Sequence, residues 1–243
     1  MHTSNTQFII TLDTLCPEIQ TEIILYVENP GHLGQCSRSW YNMVNSPAIK
    51  SKWLISRVGR THALFHAVRM GEPFINLDVV KCLFAQKAQL SRYFLQKLRE
   101  KREAPGRGIP TRWASDLPPS IVVELYDEGQ RQFGKGLQLR GNDAQHFYTL
   151  SGASQNTTEA KPIIQHNASG IIKLIKVYKF VPLPCVRRKT VLRFSDTVGC
   201  SCDHVKEWKI VARAIAIYPE LVNVWKKNGG YDVMDDLNVY ERS

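Results

Sequence analysis

Between Asp13 and Ile55 the chain is interrupted at Pro17, at Asn29-Pro30-Gly31 and at Pro47, so no long helix can run through it. Proline lacks an amide donor and is tolerated in the first helical turn, where that donor has no partner anyway. Pro17 therefore predicts a helix reaching Val27, with Ile19, Ile23, Ile24 and Val27 as its apolar residues. After the break, Leu33, Cys36, Trp40 and Val44 recur at spacings of three and four and predict a second short segment. Pro47 closes it, and Ile49, Trp53 and Leu54 supply a third stripe. Residues 13–57 thus read as a three-helix bundle. A unit of about forty residues is marginal by itself, so it needs a partner or the rest of the chain to pack against.

The remainder is long enough to supply that support, because 243 residues can form one extended domain or two small ones. An apolar share of 43% against 22% charged residues points to a folded chain. The net charge of +10 biases its surface toward acidic partners such as nucleic acid or an acidic protein. No apolar run approaches about eighteen residues, and residues 1–12 lack the basic start and long apolar stretch of a secretory signal. Residues 1–12 are expected to be a flexible terminus, and the protein is expected to be intracellular, nuclear or cytoplasmic, without a membrane partner.

The ordered details of the first stretch resemble an F-box. The Leu15-x-Pro17-Glu18-Ile19 opening is followed by Ile23-Ile24 and the Leu33 to Cys36 step. Ser37-Arg38-Ser39-Trp40-Tyr41 and Asn45-Ser46-Pro47-Ala48-Ile49 complete the order. The resemblance covers under a fifth of the chain. It implies an adaptor that inserts apolar side chains into the linker subunit of a cullin-RING ubiquitin ligase and presents an unknown target protein. Leu15, Pro17, Ile19, Ile23, Ile24, Leu33 and Val44 are the candidates for the ligase-facing surface, with some of them also forming the bundle's own core.

Residues 58–243 read as an irregular helical interaction domain, giving a mainly α protein. Val58-Gly59-Arg60 predicts a break. Ala63, Leu64, Ala67 and Val68 then form one stripe stopped by Gly71, and Val79, Val80, Leu83, Phe84 and Ala88 form another. Gly59, Thr61, Leu64, Ala67, Gly71, Val79-Val80, Leu83 and Ala88 resemble an ankyrin unit, which implies a helical array, since one repeat cannot bury its own faces.

Phe94, Leu95 and Leu98 predict a helix from Leu90 to Leu98, followed by a basic exposed loop from Lys97 to Trp113. Ile121, Val122, Leu125 and Tyr126 predict a helix capped by Asp116 or Ser120, interrupted at Gly129 and at Gly134 to Gly136. A short helix is expected from Asn142 to Leu150, with Phe147 and Leu150 toward the core, and a mobile insertion at 151–163. Ile171, Ile172, Leu174, Ile175, Tyr178 and Phe180 fit a helix ending near Val181-Pro182, although their β-branched content leaves a strand open. Two more helices are expected around Trp208 to Ala216 and Leu221 to Trp225.

Catalysis finds little to work with in this sequence. A nucleophile with a neighbouring base is not evident. His62 and His66 lie one turn apart without the glutamate of a zinc-peptidase motif, so packing explains them first. Asp13, Asp78, Asp116 and Asp203 stand at helix starts, where capping is the ordinary role. Glu18 and Glu22 read as a surface pair. Cys200-Ser201-Cys202 with His204, completed by Cys185 or His166, is the closest approach to a metal-ligand group, and a free-cysteine loop is the preferred reading. The protein is therefore expected not to be an enzyme and to carry no metal or other cofactor.

Nucleic-acid binding is the alternative function. Lys173, Lys176, Lys179, Arg187, Arg188, Lys189 and Arg193 form a basic run without an intervening acid, and Tyr178 offers a ring for base stacking.

Overall fold

The structure is a computed structural model that describes residues 12–103, 117–150, 166–181 and 183. All regular elements among them are helical, so the protein is mainly α. After a 3-10 turn at Leu12–Thr14 come α1 (Pro17–Tyr26), a second 3-10 segment (Pro30–Gln35), α2 (Arg38–Asn45), α3 (Pro47–Met70) and α4 (Leu77–Ala85). They are followed by α5 (Arg92–Glu103), α6 (Pro119–Phe133), α7 (Asp143–Leu150) and α8 (Ala168–Lys176).

Local chemistry accounts for most of these boundaries. Pro17 and Pro47 stand in the first turns of α1 and α3. Ser37 caps α2 by accepting from the Trp40 amide, and Asn76 caps α4 by accepting from the Val79 amide. The second stretch expected from Leu33 to Val44 is therefore two elements, because Ser37 is extended and restarts the helix. Asn76, and not Asp78, supplies the cap of α4; Asp78 sits in the first turn, where its charge suits the helix dipole.

Gly59 has φ 70 and ψ 166 and bends α3 into two arms at the expected break. The second arm is the centre of the fold, since every residue from His62 to Val68 is buried. A helix covered on all sides must be surrounded by others. α1, α2 and α4 pack on α3; α4 and α5 pack on α6; α7 bridges α5 and α8. Ile24, Trp40 and Val44 from the first unit join one hydrophobic core with Leu64, Leu83, Leu95, Leu125 and Ile175. The N-terminal bundle is thus built onto the rest of the chain through shared apolar surface.

Several expectations change in detail. Ala88 lies beyond α4: Lys87 takes a left-handed φ of 63, and the Ala88 amide returns to the Leu83 carbonyl, closing the helix end and burying Ala88. The basic residues Lys97, Arg99, Lys101 and Arg102 belong to α5 and not to a loop, with Lys97 paired to Glu100 and Arg99 to Glu103 along the helix. Ser120 makes no capping bond at the start of α6, where Pro118 is the cap residue. Gly129 lies inside α6 and does not interrupt it, and Leu95 of α5 fills the space that a Cβ there would need. α8 stops at Lys176 and leaves no strand there. Phe180 follows α8, stacks on Phe147 at 5.0 Å and tilts against Tyr93 at 5.3 Å, locking this return segment to α5 and α7. The insertion expected at 151–163, the cysteine cluster at 200–204 and the two C-terminal helices lie outside the described residues.

Candidate docking surface

The outer face of α1 is set by how firmly its inner face is held. Ile24 is fully buried, and the side-chain amide of buried Gln20 donates to the Leu12 carbonyl at 3.1 Å, folding the preceding turn against the helix. At the other end, Trp53 Nε1 donates to the Val27 carbonyl at 3.0 Å, and Arg57 Nη2 donates to the Tyr26 carbonyl at 3.0 Å. Both donors come from α3. Together with Ile24 they fix the rotation of α1 about its axis.

That rotation leaves an apolar row facing outward. Within α1, Ile19 and Tyr26 stand seven residues apart on one helix face, with the Glu22 carboxylate between them. Ile19 is 48% exposed and Tyr26 82% exposed, while Leu15, which precedes the helix, is half-buried. Leu12, just before α1, is 50% exposed as well. Large apolar side chains held on one exposed helix face offer a partner area to cover.

The seven residues expected at a ligase interface divide by burial. Pro17 and Ile19 are exposed, and Leu15, Ile23 and Leu33 are half-buried. Ile24 and Val44 point inward at 0% and 8% exposure and belong to the bundle's own core, not to the outer face of α1. Tyr26 and Leu12 were not among the expected residues. Tyr26 was recoverable from sequence, since it stands seven residues after Ile19 and returns to the same helix face.

The expected basic patch is brought together only in part. Lys173 and Lys176 are exposed on α8, and Lys179 follows with a left-handed φ of 53. Tyr178 is already engaged: the Arg92 guanidinium lies 3.3 Å from its ring centroid, and the Lys173 ammonium lies 5.7 Å away. A base would have to compete with Arg92 for that face. Arg187, Arg188, Lys189 and Arg193 lie outside the described residues.

The histidine pair is packed in the interior. His62 and His66 are both buried on the second arm of α3, with His66 edge-on to Phe65 at 5.3 Å. Burial, followed by the charges of His62 and Arg69, pushes the His66 imidazole down to about 3. Among the described residues there is no cluster of three His, Cys, Asp or Glu able to hold a metal ion, and no helix long and apolar enough to cross a membrane.

No protein-family model, curated protein or solved structure matches the chain.

Proposed function

We propose that the protein is an interaction adaptor, docking through the outer face of α1 onto the linker subunit of a cullin-RING ubiquitin ligase and offering a target protein its remaining helical surface. The observation that carries this reading is the outward placement of Ile19 and Tyr26 on a helix whose rotation is fixed from α3. The same segment bears the residues that resemble an F-box, and Gly59 to Ala88 resemble an ankyrin unit. Burying such side chains contributes roughly 1.5–3 kcal/mol apiece before the entropy of association is subtracted, so a few suffice for a specific contact. The adaptor positions a target and performs no ubiquitin transfer itself.

The nucleic-acid reading keeps two exposed cations on α8, Lys173 and Lys176, but its stacking residue Tyr178 is held by Arg92. The docking reading therefore has the stronger support. Its test is co-purification of the intact chain with the ligase linker subunit, compared with an Ile19→Ala/Tyr26→Ala variant. Both side chains are exposed, so the variant is expected to melt like the parent and to lose the linker. Failure of the intact chain to associate refutes the adaptor assignment.

A further inference from the structure

On the other side of α1 lies a groove of about 510 Å³, a size typical of sites that take a compact ligand or a few side chains. Its apolar lining includes Ile24, Tyr41, Ile49, Met70, Pro73 and Phe74. At about 100° per residue, Ile24 is turned well over a quarter circle from both Ile19 and Tyr26, so the groove is a separate surface from the docking face. The inference drawn from it does not rest on the adaptor reading.

Lys50 is the only charged side chain lining the groove. Its ammonium donates to the Pro73 carbonyl at 3.2 Å and the Phe74 carbonyl at 3.4 Å, and it sits 5.5 Å from the Phe74 ring centroid. An ammonium has three donors, so one remains after the two carbonyls are served. Among the described residues no carboxylate lies within ion-pairing distance of it. Burial lowers the Lys50 pKa, the direction expected for a cation that is partly desolvated without a counterion. A carboxylate arriving with apolar neighbours would supply the missing charge in the surroundings where an ion pair is least screened. The exposed side-chain amides of Gln35 and Asn45 also line the groove; Asn45 Nδ2 donates to the Tyr41 carbonyl at 2.9 Å, and its Oδ1 and the Gln35 amide can meet a peptide backbone.

We infer that this groove binds a short apolar peptide segment bearing a carboxylate, with the acid paired to Lys50. The carboxylate can be a chain terminus or an acidic side chain, since either presents the same two oxygens. The peptide backbone meets the Gln35 and Asn45 side chains, and its apolar side chains pack on the apolar lining.

Fluorescence anisotropy on the full chain tests the assignment with three dye-labelled peptides. One is Ser-Gly-Leu-Trp-Leu with a free C-terminus, one is the same peptide amidated, and one is amidated Ser-Gly-Leu-Trp-Asp-Leu. At least one carboxylate-bearing peptide is expected to bind about tenfold more tightly than the neutral amide, and the two acids distinguish a terminal from a side-chain carboxylate. Lys50→Met is expected to erase that preference, so that on the variant the acids bind no more tightly than the neutral amide; Lys50→Gln replaces it if the Met variant fails to fold. Equal binding of all three peptides, a preference that survives loss of the Lys50 charge, or no saturation below about 1 mM overturns the inference. Decanoate displacing the best peptide at equal concentration also overturns it, because a fatty acid uses the charge and the apolar lining without the Gln35 and Asn45 amides.

Discussion

Arg92 and Asp143 form a two-point ion pair in the interior, with Arg92 Nε 2.8 Å from Asp143 Oδ2 and Arg92 Nη2 2.6 Å from Asp143 Oδ1. Both side chains are 3% exposed. The rest of the guanidinium is used as well: Nη1 donates to the Gly136 carbonyl at 2.7 Å, and the plane lies against Tyr178. Gln96 completes the cluster by donating to Asp143 Oδ1 at 3.2 Å and accepting from the Asp143 amide at 2.9 Å. One arginine thus joins α5, the turn before α7, the start of α7 and the segment after α8.

Arg92→Met is expected to lower stability by about 3–5 kcal/mol, because it leaves the Asp143 carboxylate buried without its counterion. Urea unfolding of the single variant measures the loss. Arg92→Met/Asp143→Leu removes both charges and is expected to lose less than the two single variants added together. Additive losses would mean that the pair is not the coupled unit its geometry describes.

Gly129 makes a prediction opposed to helix propensity. Alanine in a helix interior is favoured over glycine by roughly 1 kcal/mol. Here an added Cβ would stand 2.4 Å from Leu95 Cδ1, and Leu95 is fully buried against α6. Overpacking of a filled core costs about 1–3 kcal/mol, so Gly129→Ala is expected to be net destabilising or at best neutral. A clear rise in the melting temperature would show that Leu95 can move aside freely.

The same two contacts mark where the sequence was readable and where it was not. Pro17, Pro47, Gly59 and Gly71 act through their own backbone preferences, so their effects at helix starts and bends were legible locally. The rows Ala63, Leu64, Ala67, Val68 and Ile121, Val122, Leu125 likewise carry their burial in their spacing. Gly129 read as an interruption because its reason for being glycine is Leu95 on another helix. Tyr178 read as an open stacking platform because its occupant, Arg92, is distant in sequence. Ile24 and Val44 read as surface candidates on the strength of a family pattern, whereas the side of a short helix that turns inward is chosen by partners such as Trp53 and Arg57 on α3.

Ser37 links the start of α2 to the residues before α1. Its hydroxyl accepts from the Trp40 amide at 3.3 Å and donates to Asp13 Oδ1 at 2.7 Å. Ser37→Ala removes both bonds and is expected to cost about 1 kcal/mol, the usual value of an N-cap. Asp13→Ala removes only the second and is expected to cost less, since that bond is exposed to water. Thermal melts of the two variants decide the order; a larger loss for Asp13→Ala would put the main role of the pair at Asp13.

His66 ties stability to acidity. It is 3% exposed, and its Nε2 is buried without a hydrogen-bond partner among the described residues. The folded imidazole stays neutral down to about 3, whereas an unfolded histidine takes up its proton near 6.5. Between those values the unfolded chain binds the extra proton, so the neutral imidazole's contribution is complete above pH 6.5 and is lost as pH falls toward 3. The slope from this one group approaches about 1.4 kcal/mol per pH unit once the unfolded histidine is fully charged. Carboxylates titrate in part of the same window, so the informative quantity is the difference between the parent and His66→Leu. Urea unfolding at pH 7, 6, 5 and 4.5 is expected to show the parent losing stability more steeply than the variant. Parallel pH profiles would mean that His66 becomes protonated within the folded protein.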